Sequence, residues 1–285
     1  MFSKISTTWS LMGDSWQLLK KDKELLLFPL VSGICCLLVL ASFAIPIVSA
    51  QAYHPPGQDA TTAQQVTYYL TLFLFYFCNY YVISFFNVAI IACATIRLQG
   101  GDPTIADGFK AALSRMHLIF GWALISATVG LILRIIEERS ESVGRFVAGL
   151  LGMAWTAVSF LVIPAMVVEN KSPFASLRQS TKLLRQTWGE QLVSNFSFGL
   201  VFFLLAIPAF LLAGLGIFLL TGDNTVPAAI CIILAILYAV ILSLVQSTLL
   251  CIFQATLYFY ARDNQLPPAA AFAANSLSDA FTVRD

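Results

Sequence analysis

The sequence predicts an all-α fold, a polytopic membrane bundle of six transmembrane helices with three short cytoplasmic amphipathic helices. Three observations carry that expectation. Hydrophobic residues fill 59% of the 285 positions and charged residues only 11%, against roughly 45–50% and about 25% in soluble domains. Six apolar runs are long enough to cross a hydrocarbon core as helix, which takes roughly 20 residues. Lys and Arg gather on one side of those runs, the side that faces the cytoplasm in multi-pass proteins. The runs lack the polar–apolar alternation of barrel strands. A net charge of +1 offers no basic footprint for nucleic acid.

In chain order, the first element is an amphipathic segment over about 8–22. Trp9, Met12, Trp16 and Leu19 share one face, with Asp14, Gln17, Lys20 and Lys21 opposite. The first span covers about 25–50. Val48-Ser49-Ala50 resembles a cleavage site, but the apolar run starts after a long charged stretch and exceeds a signal-peptide core, so it reads as an uncleaved span. The second span, about 66–98, carries a polar stripe of Tyr69, Tyr76, Tyr80, Ser84 and Asn87, with Asn79 beside it. A second amphipathic segment, about 103–117, sets Ile105, Phe109, Ala112, Leu113 and Met116 against Lys110 and Ser114.

The third span, about 118–136, and the fourth, about 143–168, form a hairpin. Gly144, Ala148, Gly152 and Thr156 recur every four residues, a spacing that lets backbones approach closely. Ala123, Ala127 and Gly130 offer a matching surface. A third amphipathic segment, about 173–189, places Phe174, Leu177, Thr181, Leu184 and Trp188 opposite a basic stripe of Arg178, Lys182 and Arg185. Spacings of three and four put each such set on one helical face. The fifth span is about 192–220. The sixth, about 226–260, carries Ser243, Gln246, Ser247 and Gln254. Pro164 and Pro208 should kink their spans or mark their ends. The second and sixth runs exceed the core thickness and must tilt or project beyond it.

The segments at 103–117 and 173–189 begin alike, at Asp102-Pro103 and Ser172-Pro173, each a capping side chain before a proline at the first helical position. They also end alike, at Phe120-Gly121 and Trp188-Gly189. The implied unit is an amphipathic helix, a span, a hairpin turn and a span, repeated three times within one membrane domain, 1–285. Thirteen of the 16 Lys and Arg fall on the side of the termini and the amphipathic helices. Arg134, Arg139 and Arg145 alone lie opposite. Both termini are therefore expected in the cytoplasm, and the chain in a bacterial inner membrane.

No ionisable side chain falls near the middle of a span, which disfavours a proton-relay pump. Two readings stand for the neutral polar groups. Tyr76, Asn79, Tyr80, Asn87, Gln246 and Gln254 either join helices by hydrogen bonds, each worth about 0.6 kcal/mol and at most roughly 2, or line a polar cavity. Two also stand for the basic belt of Lys110, Arg115, Arg178, Lys182, Arg185 and Trp188. It either packs beneath the bundle, or docks anionic lipid or a cytoplasmic protein. The cluster Arg134, Glu137, Glu138, Arg139, Glu141 and Arg145 reads as hairpin-end ion pairs, with Arg134–Glu138 and Glu141–Arg145 four apart. The six cysteines sit in apolar runs and behave as small hydrophobes. His54 and His117 have no partners at metal-ligand spacing. No phosphate loop or nucleophile elbow appears. The sequence implies no catalytic residue, cofactor or metal.

Asp22-Lys23-Glu24-Leu25-Leu26-Leu27-Phe28-Pro29, Phe86-Asn87-Val88-Ala89, Gly100-Gly101-Asp102-Pro103-Thr104, Leu133 to Arg139, Arg185 to Glu190 and Ala255 to Ala261 together carry a resemblance. The chain resembles a bacterial and archaeal family of six-span proteins of unknown function. Members are sometimes labelled by distant similarity to the membrane domain of glycerophosphoryl diester phosphodiesterases. The resemblance implies fold and location but supplies no activity, because the soluble phosphodiesterase domain is not in this sequence.

The leading functional expectation is a non-enzymatic component that binds or moves lipid or another amphipathic molecule. A scaffold or regulator docking a cytoplasmic partner is the alternative, and a pore formed by homo-oligomerisation a further one. The orientation is directly checkable. A reporter fused after Arg262 should read cytoplasmic and one inserted in the loop 51–65 external. The reverse pattern would overturn the assignment.

Overall fold

A computed structural model describes residues 13, 15–49, 61–139, 143–186, 188–222 and 225–263. Among these residues the regular structure is helical, with no strand. A 3-10 turn over Lys23–Leu26 leads into α1 (Leu27–Ser49). The chain continues as α2 (Thr62–Leu98), α3 (Ile105–Ser114), α4 (Met116–Arg139), α5 (Val143–Ser159), α6 (Val162–Glu169), α7 (Pro173–Gln186), α8 (Trp188–Leu220) and α9 (Thr225–Asp263). Six stretches are long and apolar enough to cross a membrane: Lys23–Ala44, Thr62–Leu98, Met116–Glu138, Gly144–Glu169, Val201–Leu220 and Thr225–Asp263. Their exposed side chains, among them Leu38, Phe146, Leu211, Phe218 and Ile233, would face lipid in such a protein. The chain is a multi-pass helical membrane protein by these criteria.

The described residues divide into two compact units. One comprises Leu27–Arg97 and Gly101–Gln186, the other the described residues of Met1–Leu26, Leu98–Gly100 and Thr187–Asp285. In the first unit α3 packs on α1 and α2. The Phe109 ring lies 5.4 Å from Phe28, 6.3 Å from Phe85 and 6.2 Å from Phe86, centroid to centroid. The approach depends on Gly108, where a Cβ would stand 2.5 Å from Phe28 Cζ and 2.9 Å from Cys93 Sγ.

The turn between α2 and α3 is built by its sequence. Gly100 takes a positive φ of 89°, and the Gly101 N–H donates to the Ile96 carbonyl at 2.9 Å, closing the helix end. Asp102 then ion-pairs with Arg97. The helix starts at Ile105, not at Pro103 as the sequence suggests. Thr104 caps it, because Asp107 three residues on completes a reciprocal box. The Asp107 N–H donates to Thr104 Oγ1 at 3.2 Å, and the Thr104 N–H to Asp107 Oδ2 at 3.0 Å. Hydrogen bonds from the Thr104 hydroxyl and backbone hold the Asp107 carboxyl below the usual carboxylate range.

The fourth apolar run is continuous in sequence but forms two helices. Pro164 has no N–H for the Phe160 carbonyl, and its ring crowds the preceding turn. The Phe160 N–H tightens onto the Ala157 carbonyl at 3.3 Å, and α-spacing resumes with Ala165 N–H to Leu161 at 3.1 Å. The Leu161 N–H, left over at the break, donates to Ser180 Oγ of α7 at 3.2 Å. Leu161 is 1% exposed and Ser180 0%. Leu118 and Trp122 of α4 and Val162 and Met166 of α6 form the core around this elbow, with Trp155 and Leu177 against it. Trp122 and Trp155 stack at 5.6 Å and 17°. Asn170, in the left-handed region at φ 51°, ends α6 and turns the chain into Pro173. Gly130 meets Tyr76 and Tyr80 of α2, and Gly152 meets Leu133 of α4.

In the second unit α8 and α9 form a hairpin. A Cβ at Gly216 would lie 2.6 Å from Ile232 Cγ1 and 3.1 Å from the Ala228 carbonyl oxygen. Pro208 stays inside a continuous α8, and the Tyr238 hydroxyl donates to the Leu205 carbonyl at 2.7 Å just before it. The Lys23–Leu26 turn packs on α9. Residues 15–21 are helical and bury Ser15, Leu18 and Leu19. Trp16, expected on the same face as Leu19, is 41% exposed, with the Lys20 ammonium 5.6 Å from its ring. Leu18, at 4% exposed, is buried instead.

The three chain segments that precede hairpins follow one packing order. Helix α3 packs on α1–α2, α7 packs on α4–α6, and the turn ending the first segment packs on the last hairpin. Each lies against the hairpin before its own, and the first against the last. In a buried site a donor left without acceptor costs about 1–3 kcal/mol. Ser180→Ala should therefore lower stability by about that amount in thermal unfolding in detergent, with faster amide exchange at Leu161. An unchanged transition would show that the elbow does not need this bond.

Candidate functional site

The elbow sets the rotation of α7. With Ser180 turned to Leu161, the positions on the same side are Ser176, Leu183 and Leu184, which are 0%, 3% and 6% exposed. The opposite side borders a groove of about 620 Å³, lined among the described residues by Phe174, Leu177, Arg178, Thr181, Lys182 and Arg185. The sequence groups Phe174, Leu177, Thr181 and Leu184 on one apolar face. The structure keeps Leu184 buried and Leu177 half-buried, but Phe174 is 72% exposed beside the basic residues. Two buried serines displace it, because one of them serves the helix break. The Thr181 hydroxyl donates to the Leu177 carbonyl at 2.8 Å.

Arg178, Lys182 and Arg185 stand at i, i+4 and i+7, about 10.5 Å from first to last along the axis at 1.5 Å per residue. No carboxylate of the described residues forms an ion pair with them. Glu169 pairs with Lys171 in the α6–α7 turn, and the side chain of Glu190, the acid nearest in sequence to Arg185, lies outside the described residues. Among the described residues the groove wall thus combines an exposed aromatic ring with three cations that form no ion pair, and no acid lines it. Such a surface attracts anions chemically and offers apolar area beside them.

The other belt residues are placed differently. Lys110 is exposed on α3. Arg115 follows the last turn of α3, where its Nη1 donates to the Ala111 carbonyl at 3.1 Å and its Nη2 to the Val167 carbonyl at 3.1 Å. It ties the C-terminal ends of α3 and α6, where a cation is favoured by the helix dipoles. Its Nε is buried with no hydrogen-bond partner. Burial lowers the guanidinium pKa, from a range so high that the charge is kept. The side chain of Trp188, the first residue of α8, lies outside the described residues, as do Trp9, Met12, Asp14, His54, Glu141 and the side chain of Arg139.

Tyr76, Asn79, Tyr80 and Asn87 are half-buried on α2. The Asn79 amide donates to the Phe75 carbonyl of its own helix at 2.9 Å. Gln246, exposed, and Gln254, half-buried, lie on α9 in the other unit. At the far end of α4 the expected Arg134–Glu138 pair forms, Nε to Oε1 at 2.8 Å, and Arg134 also reaches Glu137 at 3.2 Å. The Tyr68 and Tyr69 hydroxyls of α2 add bonds to Glu138 at 3.0 and 3.4 Å. These tyrosines, Ser176 and Ser180 are polar contacts that sequence reasoning missed. The Ser-x-x-x-Ser spacing of the serines was the one local sign.

Residues 66–267 match a family of unknown function. The chain belongs to that family, DUF6159. No curated protein matches the chain. The part matched to DUF6159 runs from α2 through α9 and includes the α6 elbow and all of α7. Membership carries no activity with it.

The contacts of Arg115 predict a structural effect. Arg115→Met removes the donors from the Ala111 and Val167 carbonyls and should cost about 1–3 kcal/mol of stability, read by thermal unfolding. The same variant should keep the anionic-lipid retention of the parent protein. Lost retention at unchanged stability would place Arg115 in a binding role instead.

Proposed function

We propose that the protein is a non-enzymatic membrane component that binds anionic lipid along α7, on the cytoplasmic side of a bacterial inner membrane. One observation carries the reading. Among the described residues Arg178, Lys182 and Arg185 form a basic wall without carboxylate partners, next to an exposed Phe174, on a helix whose other face is fixed to an apolar elbow. A basic helix at this depth meets the negative surface of the cytoplasmic leaflet. The aromatic ring enters the headgroup–acyl boundary while the long basic side chains reach phosphate. Exposed apolar residues at Leu113 and Met116 near the end of α3, and at Trp16 in the first segment, support the same placement for all three amphipathic elements. The 13-to-3 distribution of Lys and Arg supports the cytoplasmic side.

Each basic residue near an anionic surface contributes on the order of 1 kcal/mol, so three together favour anionic over zwitterionic lipid by about 100-fold. Native mass spectrometry of protein released from mixed phosphatidylglycerol–phosphatidylcholine nanodiscs reads this preference. The parent protein should retain phosphatidylglycerol selectively. The triple variant Arg178→Gln, Lys182→Gln, Arg185→Gln should lose that selectivity with its helicity intact. Equal retention of both lipids by the parent protein would defeat the proposal.

A further inference from the structure

We infer that the α7 groove is a discrete site for one lipid whose headgroup carries two phosphodiesters joined by a short polyol bridge. The inference rests on the anionic-lipid reading above and specifies its ligand. The order of the three cations is the starting point. Arginine occupies both ends of the basic wall and lysine the middle. A guanidinium is a planar fork that grips a phosphate through two parallel hydrogen bonds, whereas an ammonium acts as a point charge. The wall therefore offers two phosphate clamps, at Arg178 and Arg185, about 10.5 Å apart along the helix axis at their origins, with a diffuse positive charge between them.

Two forks so separated are poorly used by a single phosphate. A diphosphate, whose phosphorus atoms share one oxygen, is too compact to seat one phosphate on each fork. Two phosphodiesters separated by a glycerol bridge stand farther apart than those of a diphosphate, within reach of two long arginine side chains, and set two negative charges against three positive ones. Among the described residues no acid lines the groove to oppose the second phosphate. Phe174 and Leu177, one turn or less before Arg178, supply an apolar wall against which acyl chains can lie. The opposite face of α7 holds the Leu161 N–H through Ser180, so occupancy of the groove braces the broken span and should raise its stability by linkage.

The test is a thermal-shift titration of the full-length protein in a neutral detergent, with tetraoleoyl cardiolipin and dioleoyl phosphatidylglycerol compared at equal phosphate. The expected result is a cardiolipin shift that saturates near one equivalent, with phosphatidylglycerol at least about tenfold weaker, the loss of roughly one charge-assisted contact. Arg178→Lys and Arg185→Lys keep the charge and should each erase that preference, while Lys182→Arg should keep it. Equal shifts by the two lipids, or a preference that survives both Arg→Lys changes, would overturn the two-phosphate inference and leave anionic-lipid binding standing. No shift with either lipid would overturn both.

Discussion

One backbone amide organises the best-defined part of this protein. A polar group buried away from water must find a partner, and in an apolar run there are few to be had. Pro164 breaks the fourth run and strands the Leu161 N–H. Ser180, two elements later in the chain, accepts its hydrogen bond. That bond fixes the rotation of α7, and the rotation decides which residues face out. Leu183 and Leu184 go in with the serines, and Phe174, Arg178, Lys182 and Arg185 come out. The candidate site is thus the reverse side of a structural repair.

The same logic runs through the rest of the first unit. Arg115 spends its donors on carbonyls at the ends of α3 and α6. Thr104 and Asp107 cap each other at the start of α3. Tyr68, Tyr69 and Arg134 converge on Glu138. Most of the scarce polar and charged groups described here serve helix ends or helix pairs. Among the described residues the basic wall of α7 has no such partner, and this separates it from Arg115, which the sequence alone places in the same belt.

The six spans were legible because hydropathy and length are sufficient physical criteria for them. Their order and the positions of α3 and α7 followed from periodicity of three and four. What stayed hidden depended on contacts between distant residues. Hydropathy is unbroken across 143–168, so Pro164 signalled a bend without revealing the separate α6. Phe174 reads as a buried residue on any amphipathic projection. Only the demand of Leu161 for an acceptor explains why Ser180 is inside and Phe174 outside. The Tyr68–Glu138 bond spans 70 positions and has no local signature. Within residues 15–21 the shared face of Trp16 and Leu19 does not predict equal burial, because Leu18 is buried beside Leu19 while Trp16 is exposed.

The proposed lipid contact would place lipid phosphorus against the outward guanidinium groups of α7. Solid-state NMR can measure it, using protein labelled with carbon-13 at arginine Cζ in bilayers of phosphatidylglycerol and phosphatidylcholine. Carbon–phosphorus dipolar dephasing should be strong for Arg178 and Arg185, assigned by single Arg→Lys variants, and weak for Arg115, whose donors are held by carbonyls. Dephasing at Arg115 with none at Arg178 and Arg185 would contradict the account at its centre.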